Sequence, residues 1–444
     1  MINLSEHMDE NTIDLVWSLS NAGIKYRSII IFDNGWLADN MVSPFSFYSS
    51  AYDDKSGRAL FFNEVPVQPF WGIRGNNELA EVYDNDTIRS KIFYHENREV
   101  ERVEWWNTLN KIVFVDHYNC YGRLYAKTYY HHDVPAQKSY FSSDNHEIIN
   151  HNLVTNQIML SFEGKNYFFT SLTEFVVFFI KQNFAVQDYN QIIYNSLSTP
   201  LFIVEELKKE TKGILVWDEP LTQGVPGNMA EILSNHESNT THIFFQRQAD
   251  MRKIHNEYHF SRDAIISYLG KTYDFTTKIK SRENKKNILI VTSSDDIWQL
   301  GKLVESLPQM NFKIMALTEM SDKLTASSKY ENVELFPIAE PQHILDAVKQ
   351  ADYLLDINNG PEVLDVVKQT FLSHTLILSV ENRTHHAKYI ASEHIFTNEA
   401  SDLMIEKINI TRHNMLKYGK ALTLQENIYG PEGSKSYYAK AFKS

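Results

Sequence analysis

Arg27-Ser28-Ile29-Ile30-Ile31-Phe32-Asp33 is an unbroken apolar run closed by a carboxylate. A strand with one wet face alternates polar and apolar residues. A continuous run instead marks a strand covered on both faces, as in a parallel sheet flanked by helices. Upstream, Ile13, Val16, Trp17 and Leu19 to Ala22 recur at helical spacing. Asn11 stands where an N-cap is needed, and Gly23 stands where helices stop. Helix followed by buried strand predicts that an α/β lobe opens the chain.

Downstream the character changes. From Val42 to Lys181 the sequence alternates and carries about half of the protein's Phe, Trp and Tyr residues. Ala59–Val67, Ile88–His95, Arg98–Trp106, Lys111–Tyr118, Arg123–Tyr130, Gln157–Phe162 and Lys165–Phe169 read as strands. Glu96-Asn97 and Glu163-Gly164 read as hairpin turns. Strands without intervening helices predict an antiparallel meander. The helical period returns with Phe175, Phe178, Phe179 and Gln182, and Leu201–Glu205, Gly213–Trp217 and Thr241–Gln246 follow as strand candidates. The polar run Thr276–Lys286 reads as a linker. A second alternation follows, with strands expected at Asn287–Ser293, Phe312–Leu317, Val333–Phe336, Tyr353–Ile357, Thr375–Val380 and His394–Thr397. Helices are expected at Asp296–Leu307 and Pro341–Ala351, and the C-terminal segment is helical up to Gly430.

The fold class is therefore α/β, with two Rossmann-like lobes and a β-rich insertion in the first. The division is residues 1–44 and 173–275 for the first lobe, 45–172 for the insertion, 286–409 for the second lobe, and 410–444 for a C-terminal helical segment that packs back on the first lobe. Two such lobes enclose a cleft in which a ligand is expected.

Composition narrows the function. A net charge of -13 over 444 residues argues against nonspecific nucleic-acid binding. Cys120 is the single cysteine, so no internal disulfide forms, which fits a reducing cytoplasm. MINLSEHMDE at the N-terminus lacks the pattern of a secretory signal, and the longest apolar run, Phe175–Ile180, is too short to span a bilayer.

One series of segments carries a family likeness: Asp14-Leu15, Ser18-Leu19, Ala22-Gly23, Ile29–Phe32, Asp33-Asn34-Gly35-Trp36-Leu37 and Ser43-Pro44-Phe45, in that order and closely spaced. It resembles the GtfB family, the stabilising subunits of the O-linked N-acetylglucosamine transferase that modifies serine-rich repeat adhesins. The second lobe matches by architecture more than by motif. The resemblance implies a GT-B fold and a noncatalytic role without a cofactor. It also implies a GtfA-type catalytic partner, joined in a heterotetramer, and an unfolded Ser/Thr-rich acceptor. The implied setting is the cytoplasm beside the accessory Sec system, with peripheral contact at the membrane.

The residues read alone point the same way. A nucleotide-sugar transferase of this fold stabilises a leaving diphosphate with cations after the second lobe's first strand. Here that loop carries Asp295-Asp296, of the wrong sign. The E-x7-E pattern of retaining enzymes is missing: Glu362 and Asp365 are three apart and read as decoration of a helix start. No catalytic residue and no metal site are assigned. His255 and His259 lie four apart but lack a third ligand, and His131-His132 reads as loop. The residues expected to line an acceptor-peptide cleft are Asn358, Asn359, Arg383 and His385, with Gly227 and Asn228 before a helix of the first lobe. In the insertion, Phe70-Trp71 and Trp105-Trp106 are adjacent aromatics that strand geometry turns to opposite faces. Trp71, Trp105 and Trp106 are the candidates for a partner interface. An active transferase with an atypical donor site and a purely structural scaffold stand as alternatives.

Overall fold

The computed structural model describes residues 1–76, 79–95, 98–273 and 285–442. The Glu96-Asn97 turn and most of the Thr276–Lys286 linker lie outside the described residues. The chain forms two compact units, Met1–Leu269 with Ser436–Ser444, and Gly270–Lys435.

The first unit is built on a parallel sheet. Its strand order is Ile266–Tyr268, Thr240–Phe245, Lys212–Trp217, Gln191–Tyr194, Ile2–Ser5, Arg27–Ile30 and Met41–Val42. Ile29, Ile30 and Ile31 are fully buried, as the apolar run requires. The sheet begins earlier than the sequence pattern indicates, because Ile2–Ser5 is an interior strand, next to the central Gln191–Tyr194. Helix Glu10–Asn21 is capped by the Asp9 side chain on Thr12 N rather than by Asn11. It buries Leu15 and Leu19 and leaves Ile13 and Trp17 exposed. Leu201–Glu205 is not a strand but lies in helix Thr199–Glu206: Pro200 fits the first turn, and Leu201, Ile203 and Val204 pack on the sheet.

The insertion is a ten-stranded antiparallel sheet running in chain order from Gly72–Gly75 to Lys165–Phe169. Ala59–Val67 does not join it as a regular strand. Pro66 has no ladder N–H, and the segment folds as an irregular cover with a 3-10 turn at Phe62–Glu64. Glu163 and Gly164 make the expected hairpin turn, both with positive φ.

The buried face of this sheet changes along its length. One cross-strand row runs Ala80, Ile92, Val103, Asp116, Lys127, Ser139, Asn150, Met159, Phe168. Its first members are sealed under the cover and packed with Val65, while Phe168 at its end is 73% exposed. The adjacent row points to the other face, and Ala126, Tyr140, Ile149 and Leu160 there are buried against Phe45, Phe175 and Phe179 of the first lobe. Each half of the sheet thus has one dry face, but not the same one.

The second unit has the strand order Val333–Phe336, Asn311–Met315, Asn287–Val291, Tyr353–Asp356, Leu376–Val380, Ile395–Phe396, all parallel. Counted in chain order this is 3-2-1-4-5-6, the doubly wound arrangement. Two separate cores cover its two faces. Helix Met415–Glu426 packs on this unit through Tyr418, Ala421 and Leu422. The last helix, Lys435–Ala441, instead buries Tyr438, with Phe442, in the first unit beside Leu15, Leu19 and Phe244.

Candidate functional site

A doubly wound sheet binds ligands outside the carboxyl ends of its strands, where the order reverses. In the second unit that point lies between Asn287–Val291 and Tyr353–Asp356, and the loops there are tied to each other. Asn359 N–H donates to Asp296 O (3.0 Å), and Trp298 N–H donates to Ile357 O (3.0 Å). Gly360 lets the two loops touch: a Cβ there would stand 2.3 Å from Ser293 Oγ and 3.0 Å from Ser294 Cβ.

The loop after the next strand brings Arg383. Its guanidinium donates to Asp296 O at 2.7 Å and to both Asp296 carboxylate oxygens at 3.1 and 3.2 Å. The Arg383 hydrogen bonds hold the Asp296 carboxyl below its usual range. The guanidinium of Arg383 is therefore engaged by a carboxylate of the facing loop. Arg383→Ala is expected to cost only about 1–2 kcal/mol, because the Asp296 carboxylate keeps much of its hydration. A urea midpoint measures this.

His385 has acceptors on both ring nitrogens. Nδ1 meets Asp356 Oδ1, Nε2 meets Gly360 O at 2.6 Å, and the backbone N–H donates to Asp356 Oδ2 at 2.9 Å. Only an imidazolium donates on both sides. The bond to Asp356 raises its pKa from 6.5 to about 9. His385 is a fixed cation of the site and not a base for proton abstraction.

The structure thus gathers Asn358, Asn359, Arg383 and His385 into one constellation with different jobs. Asn358 is buried, its amide bonded to Val291 O (3.2 Å) and Gly360 N (3.0 Å), so it shapes the loop and does not face a ligand. Asn359 is exposed. Glu362 accepts from Val367 N–H at 2.8 Å and pairs with His386 Nε2 at 2.7 Å. Burial pushes its carboxyl pKa up. Among the described residues Glu362, Asp365 and His386 alone place three possible metal-ligand atoms within 4.8 Å. His255 lies in the last turn of helix Gln248–Glu257 and His259 lies beyond its C-cap, Tyr258, so the expectation that both stand on one helix is not met.

The first unit has its own reversal point, between Ile2–Ser5 and Gln191–Tyr194. Glu6 projects there and accepts from the hydroxyls of Ser198 and Thr199 (3.1 Å). Asn228 Nδ2 donates to Leu197 O at 2.8 Å in the same loop, and Gly227 begins helix Gly227–Ser234 beside it. The sequence does not single out Glu6, Ser198 and Thr199, because Asn3 and Ser5 interrupt the apolar residues of Ile2–Ser5 and only three apolar residues in a row mark Gln191–Tyr194.

The tryptophans of the insertion are half-buried. Trp71 and Trp105 share one face, with ring centroids 6.5 Å apart. Trp106 points to the other, with Lys91 Nζ 4.8 Å above its ring. The fully exposed aromatic is Phe70, held at φ 72°.

Two parallel doubly wound units in one chain, the first carrying an antiparallel sheet, define a glycosyltransferase-like GT-B fold. The crystal structure of pneumococcal O-GlcNAc transferase GtfA in complex with UDP and GlcNAc shares this plan, at TM-score 0.51 and 11% identity over 99% of this chain and 97% of that one. Within that class the chain belongs to the GtfB family. It is 35% identical to the UDP-N-acetylglucosamine–peptide N-acetylglucosaminyltransferase stabilizing protein GtfB of Streptococcus parasanguinis, over 90% of each chain. Family models match along its length: the GtfB N-terminal domain at residues 2–48, middle domain at 71–170, third domain at 172–256, and the GftB/GlyA-F C-terminal domain at 288–425. A crystal structure of a GtfA/B complex bound to UDP and GlcNAc contains a chain that superposes at TM-score 0.89 and 33% identity, covering 100% of this chain and 99% of that one.

Proposed function

We propose that this protein is the noncatalytic, acceptor-binding subunit of a protein O-GlcNAc transferase, stabilising a GtfA-type catalytic partner and presenting a Ser/Thr-rich adhesin chain to it. The observation that carries the reading is the Arg383–Asp296 pair. A donor site needs cations open to a diphosphate, and here the guanidinium is held by a carboxylate on the facing loop. Exposed polar groups remain at Asn359 in the second unit and, separately, at Asn228 in the first, where the Ser198–Thr199 turn is half-buried, and adaptable groups of this kind suit a disordered hydroxyl-rich chain that binds through many weak contacts.

The insertion, residues 45–172, is the proposed partner surface. Phe70 is fully exposed and Phe168 lies on the outermost strand, Lys165–Phe169, with one edge unpaired in the sheet. Both offer apolar contact. Heterotetramer formation, a cytoplasmic location beside the accessory Sec system and peripheral membrane contact belong to the same reading. Among the described residues no helix is long and apolar enough to cross a membrane.

Calorimetric titration tests the proposal. The purified chain is expected to bind a serine-rich peptide and to show no heat with UDP-N-acetylglucosamine. Adding it to the catalytic subunit is expected to raise that subunit's thermal midpoint. Sugar transfer by this chain alone, or micromolar nucleotide-sugar binding, would replace the proposal with an active GT-B enzyme.

A further inference from the structure

Asn-Gly is among the least durable steps of a polypeptide, and the sequence has two, Asn34-Gly35 and Asn359-Gly360. The backbone nitrogen that follows an asparagine can attack that asparagine's side-chain Cγ. Glycine, with no Cβ to hinder the approach, makes the attack fastest. An N–Cγ bond forms, the Cγ–NH2 bond breaks, and ammonia leaves with the proton given up by the glycine nitrogen. Water then opens the cyclic imide to an aspartate or, at its other carbonyl, to an isoaspartate whose main chain is one carbon longer. Asn34 and Asn359 are both exposed, so water can enter and ammonia can leave.

Both steps carry the same guard. In each, the residue before the asparagine turns its side chain back to accept the glycine N–H. Asp33 Oδ1 accepts from Gly35 at 2.6 Å, and Asn358 Oδ1 accepts from Gly360 at 3.0 Å. Asp33 and Asn358 are each 4% exposed, so water does not compete for these bonds. A nitrogen held in this way must lose a hydrogen bond before it gives up its proton and turns on the side chain. Asn358 is itself fixed, its amide donating to Val291 O at 3.2 Å. The step is also pinned at both ends: Asn359 N–H donates to Asp296 O at 3.0 Å, and Gly360 O accepts from His385 Nε2 at 2.6 Å.

We propose that Asn359-Gly360 is a deamidation site and that Asn358 is the side chain that restrains it. Of the two steps it is the less protected. Its guard is a neutral amide, whereas at Gly35 a carboxylate accepts more strongly and repels the negative charge that builds on the attacking nitrogen. The product alters the loop. Asn359 also donates its side-chain amide to the Asp296 carboxylate. Deamidation replaces that donor with a second carboxylate beside Asp296, and the isoaspartate form lengthens the main chain where it is tied to Asp296 O. Both changes loosen one loop from the other.

The test incubates the full chain at mildly alkaline pH and body temperature and follows both steps by peptide mass spectrometry, with chromatography to separate isoaspartate. A synthetic peptide of residues 355–364 supplies the unguarded rate. In the wild type, Asn359 is expected to react about tenfold more slowly than in the peptide, the factor that one hydrogen bond to the attacking nitrogen supplies, and Asn34 more slowly still. Asn358→Ala is expected to speed the reaction at Asn359 about tenfold and leave Asn34 unchanged, which shows that the fold is intact. Asn358→Asp restores an acceptor for the Gly360 N–H, as at Asp33, and is expected to keep the wild-type rate or lower it. A wild-type rate at Asn359 equal to the peptide's overturns the proposal, as does Asn358→Ala without effect there. If Asn358→Ala speeds both steps, that variant has unfolded and Asn358→Asp decides. A rate at Asn359 at or below the wild type's then supports the guard, and a higher rate overturns it.

Discussion

Gly35→Ala is expected to cost about 3–5 kcal/mol, because two penalties act at one residue. The glycine holds φ at +88°, a left-handed conformation that a Cβ disfavours. That Cβ would also stand 2.7 Å from Tyr118 O and 2.9 Å from Asn119 Cα. Both are backbone atoms of the insertion, so no side chain can swing aside. The surroundings are equally committed. Gly35 N–H donates to Asp33 at 2.6 Å, Cys120 N–H donates to Gly35 O at 2.9 Å, and Tyr125 OH donates to Asp33 O at 3.1 Å. Asp33 also accepts from Ser46 and from Tyr52 (2.7 Å), and its burial pushes the carboxyl pKa up. The Asp33–Leu37 turn is therefore the seam by which the meander is fixed to the lobe that hosts it. Gly23→Ala is the control: φ is +72° but nothing lies within 4 Å of the added carbon, so only the conformational cost of about 1–2 kcal/mol applies. Urea unfolding of both variants decides the matter. Equal losses would show that the contact with Tyr118 and Asn119 contributes nothing.

How far the sequence foretold this molecule depended on the length and purity of each pattern. The six strands of the second unit are read because apolar runs separated by helical stretches mark them, even where the ladder is as short as Ile395–Phe396, and Arg27–Ile30 is read because its apolar run continues to Phe32. Ile2–Ser5 and Gln191–Tyr194 are interior strands that the pattern does not mark, since Asn3 and Ser5 interrupt the first and the second has only Ile192, Ile193 and Tyr194 between Gln191 and Asn195. Leu201–Glu205 looked like a strand because Ile203 and Val204 favour one, but burial on the sheet and Pro200 in the first turn decided for helix. Strands Val134–Phe141 and Glu147–Asn152 were missed because one of their faces is largely polar and Pro135 interrupts the first. Site positions followed from strand order, which puts the loops after Val291, Asp356 and Val380 side by side. Pairings within the site did not follow. Arg383 meets Asp296 across 87 residues, and His385 meets Asp356 across 29, and no local spacing encodes either contact.

Asp356→Ala should be the most damaging change in the second unit's constellation. The carboxylate is 3% exposed and its imidazolium partner 15%, so removing the acid strands a cation with little water to reach. Breaking a buried pair from one side costs about 3–5 kcal/mol. Two further donors, the His385 backbone N–H and the Ser379 hydroxyl at 3.3 Å, also lose an acceptor. The pair carries a pH signature as well. The folded pKa of His385 is raised from 6.5 to about 9, so its contribution to stability is fully present below pH 6.5 and is lost as the pH rises through 9. The wild-type unfolding free energy should therefore decline between those values. In His385→Gln, which keeps polar contact without a titrating ring, that part of the decline should vanish while stability at pH 9 changes little. Asp356→Ala should remove it too, because without the carboxylate the ring returns toward its ordinary pKa. A slope between pH 6.5 and 9 that is the same in all three proteins would mean that His385 is neutral in the folded chain. The loops carrying Asn359 and Gly360 would then be held by the Arg383–Asp296 pair and backbone bonds alone, and Arg383→Ala rather than Asp356→Ala would be the variant that loosens the proposed peptide site.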